Sequence, residues 1–259
     1  MNKISEAFAD KKAFIPFLTA GDPNLETTRK LILAMQEAGA DLIEIGIAFS
    51  DPVAEGPVIQ EADDRALAAG TTTDKIFDMV ESIRNEIHVP MVFMTYINPI
   101  YVYGIEKFAQ RTKECGVAGV IVPDVPYEEK KELTDVFEKE GLTVISMIAP
   151  TSSERVKMIA EEAQGFVYCV SSLGVTGVRT QISTGIADLI RHVKSVRDIP
   201  CAIGFGISTP DQAKEMAKIS DGAIVGSAIV RIIAEHGTES VPYVKKYVEE
   251  MKQAVQQAQ

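Results

Sequence analysis

The chain has 259 residues, 46% of them hydrophobic and 24% charged, with a formal net charge of −11. That charge repels nucleic acid and anionic membranes, so an anionic substrate would need a local site of backbone N–H groups. Three scattered cysteines without a CxxC exclude a disulfide framework and fit a reducing cytoplasm, MNKISEAFADKK lacks a signal-peptide apolar core, and no apolar run reaches the roughly 18–20 residues of a membrane span.

Residues 4–9 read as a short helix ahead of the first strand, placed to plug a barrel floor. A strand is predicted over 14–20, ending near Gly21-Asp22-Pro23, and an amphipathic helix over 24–38. The second strand, 42–47, is apolar except for Glu44, and the loop FSDPVAEGP follows it. An additional helix is expected over 58–69, then another over 73–87. The run 90–96 reads as a third strand followed by a loop containing Asn98 and Pro99. The fourth strand, 118–122, ends in Pro123-Asp124-Val125-Pro126 and precedes a helix over 127–140. A strand at 142–148 and a helix at 153–163 come next, then a strand at 166–170 and the long turn SSLGVTGVRTQIST. The last strands, 201–206 and 222–226, flank a helix over 209–218. Continuous Val- and Ile-rich runs are the pattern of parallel strands covered on both faces. Eight such units predict a single (β/α)8 barrel domain over 1–259, with the two extra helices at 4–9 and 58–69. A doubly wound sheet is the alternative, but the first turn reads TAGDPN rather than GxGxxG.

Barrel active sites lie at the C-terminal strand ends. In the second strand Leu42, Glu44 and Gly46 share one face and the three isoleucines share the other. The isoleucine face suits surrounding helices, which turns Glu44 into the interior. Desolvation there should raise its pKa, as a proton-shuttling acid needs. A structural glutamate satisfied by tyrosine or backbone partners is the alternative. Gly174 and Gly177 lie in the sixth loop, Gly206 ends the seventh strand, and Gly226-Ser227 opens the last helix. N–H groups gathered at such a helix start form an anion site. Phe17, Tyr96, Tyr168 and Phe205 sit near strand ends and could line an apolar pocket. No predicted strand carries lysine, which argues against Schiff-base chemistry. His88, His192 and His236 are scattered on helices or their ends, so no metal site is expected. The charge runs near Glu128 and Lys245 read as solvated helix faces. Proton transfer by carboxylates on a phosphorylated, partly aromatic substrate is what remains.

The segments PFLTAGDP, LIEIGIAFSDPVAEGPVIQ, MTYINPIYVYG, VPDVPYEE, YCVSSLGVTG, GFGIS and VGSAIV, in this order, resemble the α subunit of tryptophan synthase over nearly the whole chain. The resemblance implies a (β/α)8 barrel that cleaves indole-3-glycerol phosphate to indole and glyceraldehyde 3-phosphate. It implies a β-subunit partner in an α2β2 complex, with pyridoxal phosphate in that partner and no cofactor in this chain. By the same resemblance Glu44, Glu55 and Tyr168 are catalytic, and Phe17, Tyr96, Thr176 and Phe205 contact the substrate. Gly177, Gly206, Gly226 and Ser227 hold its phosphate, and Asp51, Pro52 and Pro126 meet the partner. Three positions depart from the family pattern: Glu55 replaces an aspartate, Ala48 a proline, and Asp64 a less polar residue. A stand-alone lyase, a weakly active allosteric subunit, and a different phosphate-binding barrel such as an isomerase or epimerase are the rival readings.

Overall fold

The computed structural model describes residues 3–170, 182–204 and 206–258. Thr176, Gly177 and Phe205 lie outside the described residues. In chain order the elements are α1 (Lys3–Glu6), β1 (Ala13–Ala20), α2 (Leu25–Glu37), β2 (Ile43–Ile47), α3 (Pro57–Ala68), α4 (Thr73–Ile83), β3 (Met91–Met94), α5 (Ile97–Tyr103), α6 (Ile105–Glu114) and β4 (Gly119–Ile121). The second half holds α7 (Lys131–Lys139), β5 (Thr143–Val144), β6 (Ser146–Ile148), α8 (Ser153–Glu162), β7 (Val167–Val170), α9 (Ile182–Val196), β8 (Cys201–Gly204), α10 (Pro210–Ile219), β9 (Gly222–Val225), α11 (Ser227–His236) and α12 (Val241–Gln256).

All strand pairings are parallel, in the order β5-β4-β3-β2-β1-β9-β8-β7-β6. The two ends of that order are consecutive in sequence. β5 pairs with β4 and β6 with β7, so the run expected as one strand over 142–148 turns the corner at Ile145 and closes an eight-stranded barrel.

Side chains divide by strand parity. Ile15, Phe17, Leu42, Val92, Met94, Ile121, Tyr168, Ala202 and Ile224 pack together inside the barrel. Phe14, Leu18, Ile43, Ile45, Phe93, Val120, Cys169, Ile203 and Val225 pack outward among helix residues such as Leu31, Phe77, Phe108 and Val248. Helix α1 joins the inner set through Ile4, with Ala7 and Phe8 beyond its end, and the Phe8 ring lies 5.3 Å from Phe166. The barrel floor is therefore plugged. At the same end Asp41 accepts the Phe14 N–H at 2.7 Å and pairs with buried Lys252, tying α12 to the sheet.

A second expectation is corrected. Residues 97–103, read as loop, form α5. Pro99 falls in the first turn, where a helix loses no N–H bond to it. The end is capped from afar, because Asp124 accepts the Ile97 N–H at 3.0 Å.

Candidate active site

Glu44 is the second residue of β2, points inward and is 1% exposed. Among the described residues neither of its carboxylate oxygens has a hydrogen-bond partner. A desolvated carboxylate without a donor favours its neutral form. Burial therefore pushes the Glu44 pKa well above the usual range, and the nearby Glu55 charge pushes it further.

Glu55 comes from the loop after β2. Its backbone is held on both sides: the N–H reaches the Pro52 carbonyl at 3.5 Å, and the carbonyl accepts the Gln60 side-chain amide at 2.8 Å. The Tyr96 hydroxyl, at the end of β3, accepts the Ala54 N–H at 3.0 Å and bonds the Glu55 carboxylate. The glutamate arm, one methylene longer than aspartate, thus ends against a fixed phenol. Desolvation raises the Glu55 pKa to about 7, with the Tyr96 bond acting in the opposite direction.

A third acid joins this pair. Asp63 on α3 is buried, and burial followed by the Glu55 charge raises its pKa to about 7, with the Phe49 backbone opposing the shift. The adjacent Asp64, which departs from the family pattern, is exposed. Helical phase was the available signal, because Asp63 lies four residues after buried Ile59 and three before buried Ala66. Arg65, two residues on, also went unnoticed. It forks onto buried Asp22 with two bonds of 2.8 Å and anchors α3 to the loop after β1.

Tyr168 on β7 is buried, and its pKa is raised by burial and then by the Glu44 and Glu55 charges. The neighbouring strand β8 leaves room for it: a Cβ at Gly204 would lie 2.3 Å from its hydroxyl. Phe17, paired in register with Glu44, occupies a similar gap. A Cβ at Gly46 would stand 2.7 Å from its ring, and one at Gly226 would stand 3.1 Å away.

Glu44, Glu55, Phe17, Tyr168, Gly206, Gly226 and Ser227 line one cavity of about 270 Å³. Tyr96 reaches it through Glu55. At the Gly226 side, α11 begins with no side-chain cap and no acid in its first turn, whereas α10 is closed by a capping box from Thr209 and Gln212. The start of α11 thus presents uncapped N–H groups to the cavity, a setting that suits an anion.

Asp51, Pro52 and Pro126 do not line this cavity; Asp51 and Pro126 are exposed and Pro52 is half-buried. Beside them Val53 is 81% exposed. A larger cavity of about 740 Å³ runs between the loops after β2 and β4, and Glu55 borders both cavities. Its basic side chains Lys130 and Arg155 are already paired, with Glu162 at 2.9 Å and Glu128 at 2.7 Å. The convergent acids and the open helix start mark the smaller cavity as the candidate site.

Among the described residues no group of three His, Cys, Asp or Glu side chains is arranged to hold a metal, and no helix is long and apolar enough to cross a membrane. His192 contacts the Ser153 carbonyl at 3.1 Å and His236 stacks on Tyr243.

Comparison with known proteins extends these observations to the whole chain. A family model described as tryptophan synthase alpha chain matches residues 5–259. The tryptophan synthase alpha chain of Lacticaseibacillus casei is 46% identical over 255 residues, covering 98% of this chain and 96% of that protein. The corresponding chain of Caldanaerobacter subterraneus is 46% identical over 262 residues, covering 98% and 100%. The crystal structure of tryptophan synthase subunit alpha from Legionella pneumophila superposes with a TM-score of 0.90 at 37% identity, covering 98% of each chain. An acid-bearing parallel barrel that matches this family in sequence and in fold over nearly its full length belongs to the tryptophan synthase alpha chain family.

Proposed function

We propose that this chain, one barrel domain from end to end, is the lyase subunit of tryptophan biosynthesis that cleaves indole-3-glycerol phosphate to indole and glyceraldehyde 3-phosphate. Family membership supplies the reaction. The observation that carries the assignment of residues is Glu44, a buried carboxylate without a partner among the described residues, facing the same cavity as a second raised acid.

The bond to be broken joins the indole ring carbon to the glycerol chain. Protonating that ring carbon first lets indole depart neutral instead of as a carbanion. Glu44, protonated through burial, gives this proton and then takes one from the adjacent chain hydroxyl as the aldehyde forms. Glu55, held by Tyr96, accepts the indole N–H and offsets positive charge on the ring. Tyr168 lines the same cavity as both acids. Phe17 and Tyr96 border the ring, together with Thr176 and Phe205 from outside the described residues. Gly206, Gly226 and Ser227 take the phosphate at the start of α11, together with Gly177.

The surface of exposed Asp51, Val53 and Pro126 with half-buried Pro52 is the docking face for a β subunit, in an α2β2 assembly within the cytoplasm. The chain needs no cofactor of its own, because pyridoxal phosphate belongs to that partner. Indole release from indole-3-glycerol phosphate, measured with and without β subunit, tests the whole reading. Glu44→Gln should lose activity by about 100-fold or more in both settings. Undiminished turnover in that variant would remove Glu44 from the mechanism.

A further inference from the structure

Among the described residues lining the acid cavity, three are charged: Glu44, Glu55 and Arg231. The two acids come from β2 and its loop. Arg231 comes from α11, four residues after Ser227, and so stands one turn above the uncapped helix start on the same face. Every other arginine among the described residues holds a carboxylate or a carbonyl oxygen. Arg231 holds none, although the chain carries a large excess of acids.

We propose that Arg231 steers the substrate phosphate to the α11 end of the cavity and thereby sets the direction in which the substrate enters. This rests on the reading above that the cavity takes a phosphorylated substrate. With a net charge of −11 the protein repels a phosphate dianion at long range. A cation on the cavity wall reverses that field locally. A phosphate entering the wrong way round meets Glu44 and Glu55, while one entering the right way meets a guanidinium whose fork matches phosphate oxygens. The α11 N–H groups then hold what Arg231 delivers. Because the Arg231 side chain is exposed, its contribution is screened by salt and falls on binding more than on the chemical step.

The test uses the complete complex with β subunit, comparing wild type with Arg231→Gln, Arg231→Lys and Arg231→Glu at low and high ionic strength. Arg231→Gln should raise KM for indole-3-glycerol phosphate about five-fold at low salt, with a smaller change in kcat. The gap should close as salt rises, Arg231→Lys should recover most of the loss, and Arg231→Glu should exceed it. A merely structural role would not give this salt dependence. Binding of inorganic phosphate by each variant is the second measurement, and it should weaken in Arg231→Gln. A KM in Arg231→Gln that matches wild type at low salt, or unchanged phosphate affinity, would overturn the role of Arg231. If wild type fails to cleave the substrate yet binds inorganic phosphate more tightly than Arg231→Gln, the assigned reaction falls and Arg231 keeps its role. If the charge-reversed variant does not fold, the Gln and Lys variants still decide.

Discussion

Burial without a donor leaves Glu44 one way to lower its free energy, which is to hold a proton. Glu55 and Asp63 follow the same logic less completely, because Tyr96 supports one and the Phe49 backbone supports the other. A carboxyl whose native pKa is raised binds more protons folded than unfolded, so its contribution to stability falls as pH rises from the unfolded pKa to the folded one. For Asp63 that window runs from 3.8 to about 7. Asp63→Asn should therefore stabilise the chain by about 1–3 kcal/mol near pH 8, with the gain vanishing toward pH 4. Denaturant titrations at the two pH values check this, and an equal effect at both would show that Asp63 does not titrate in that window.

At the scale of elements, the loop carrying Glu55 is only as well placed as the helix that follows it. Helix α3 is fixed by the Arg65 fork onto Asp22. Arg65→Ala leaves a buried carboxylate without its cation. Because Arg65 itself is partly exposed, water relieves some of the penalty, and the expected loss is about 2 kcal/mol in urea unfolding. Turnover should fall with it through the slackened Glu55 loop, and unaltered stability would show that α3 is held by packing alone. Much of this architecture was legible beforehand. Glu44 stood out as a charge in an apolar run, and strand parity gave its direction. What escaped was contact between distant segments. Asp124 caps α5 from 27 residues away, and Tyr96 meets Glu55 across a strand-end gap. Ile145 breaks its strand because the closing barrel must turn there. None of these depends on local pattern. Asp63 differs, because the phase of α3 already put it on the buried face.

At the scale of the whole molecule, the closed ring makes its interior a shared electrostatic space. Phe17 spans Gly46 and Gly226, so the acids and the α11 start face each other across one ring system. The cluster of Glu44, Glu55 and Asp63 then acts as a proton reservoir coupled to whatever anion arrives. A negative charge entering the cavity raises acids already displaced upward, and protons are taken from solvent to follow it. Sulfate, which exchanges no proton near neutrality, reports this directly. Its binding heat near pH 7.5 should differ between two buffers of unlike ionisation enthalpy, by an amount that shrinks in Glu55→Gln. Identical heats would mean that the acids keep their protonation when the anion binds. Occupancy of the cavity would then be written in the local hydrogen-ion balance as well as in contacts, and affinity for any anionic ligand would fall as the solution becomes more alkaline.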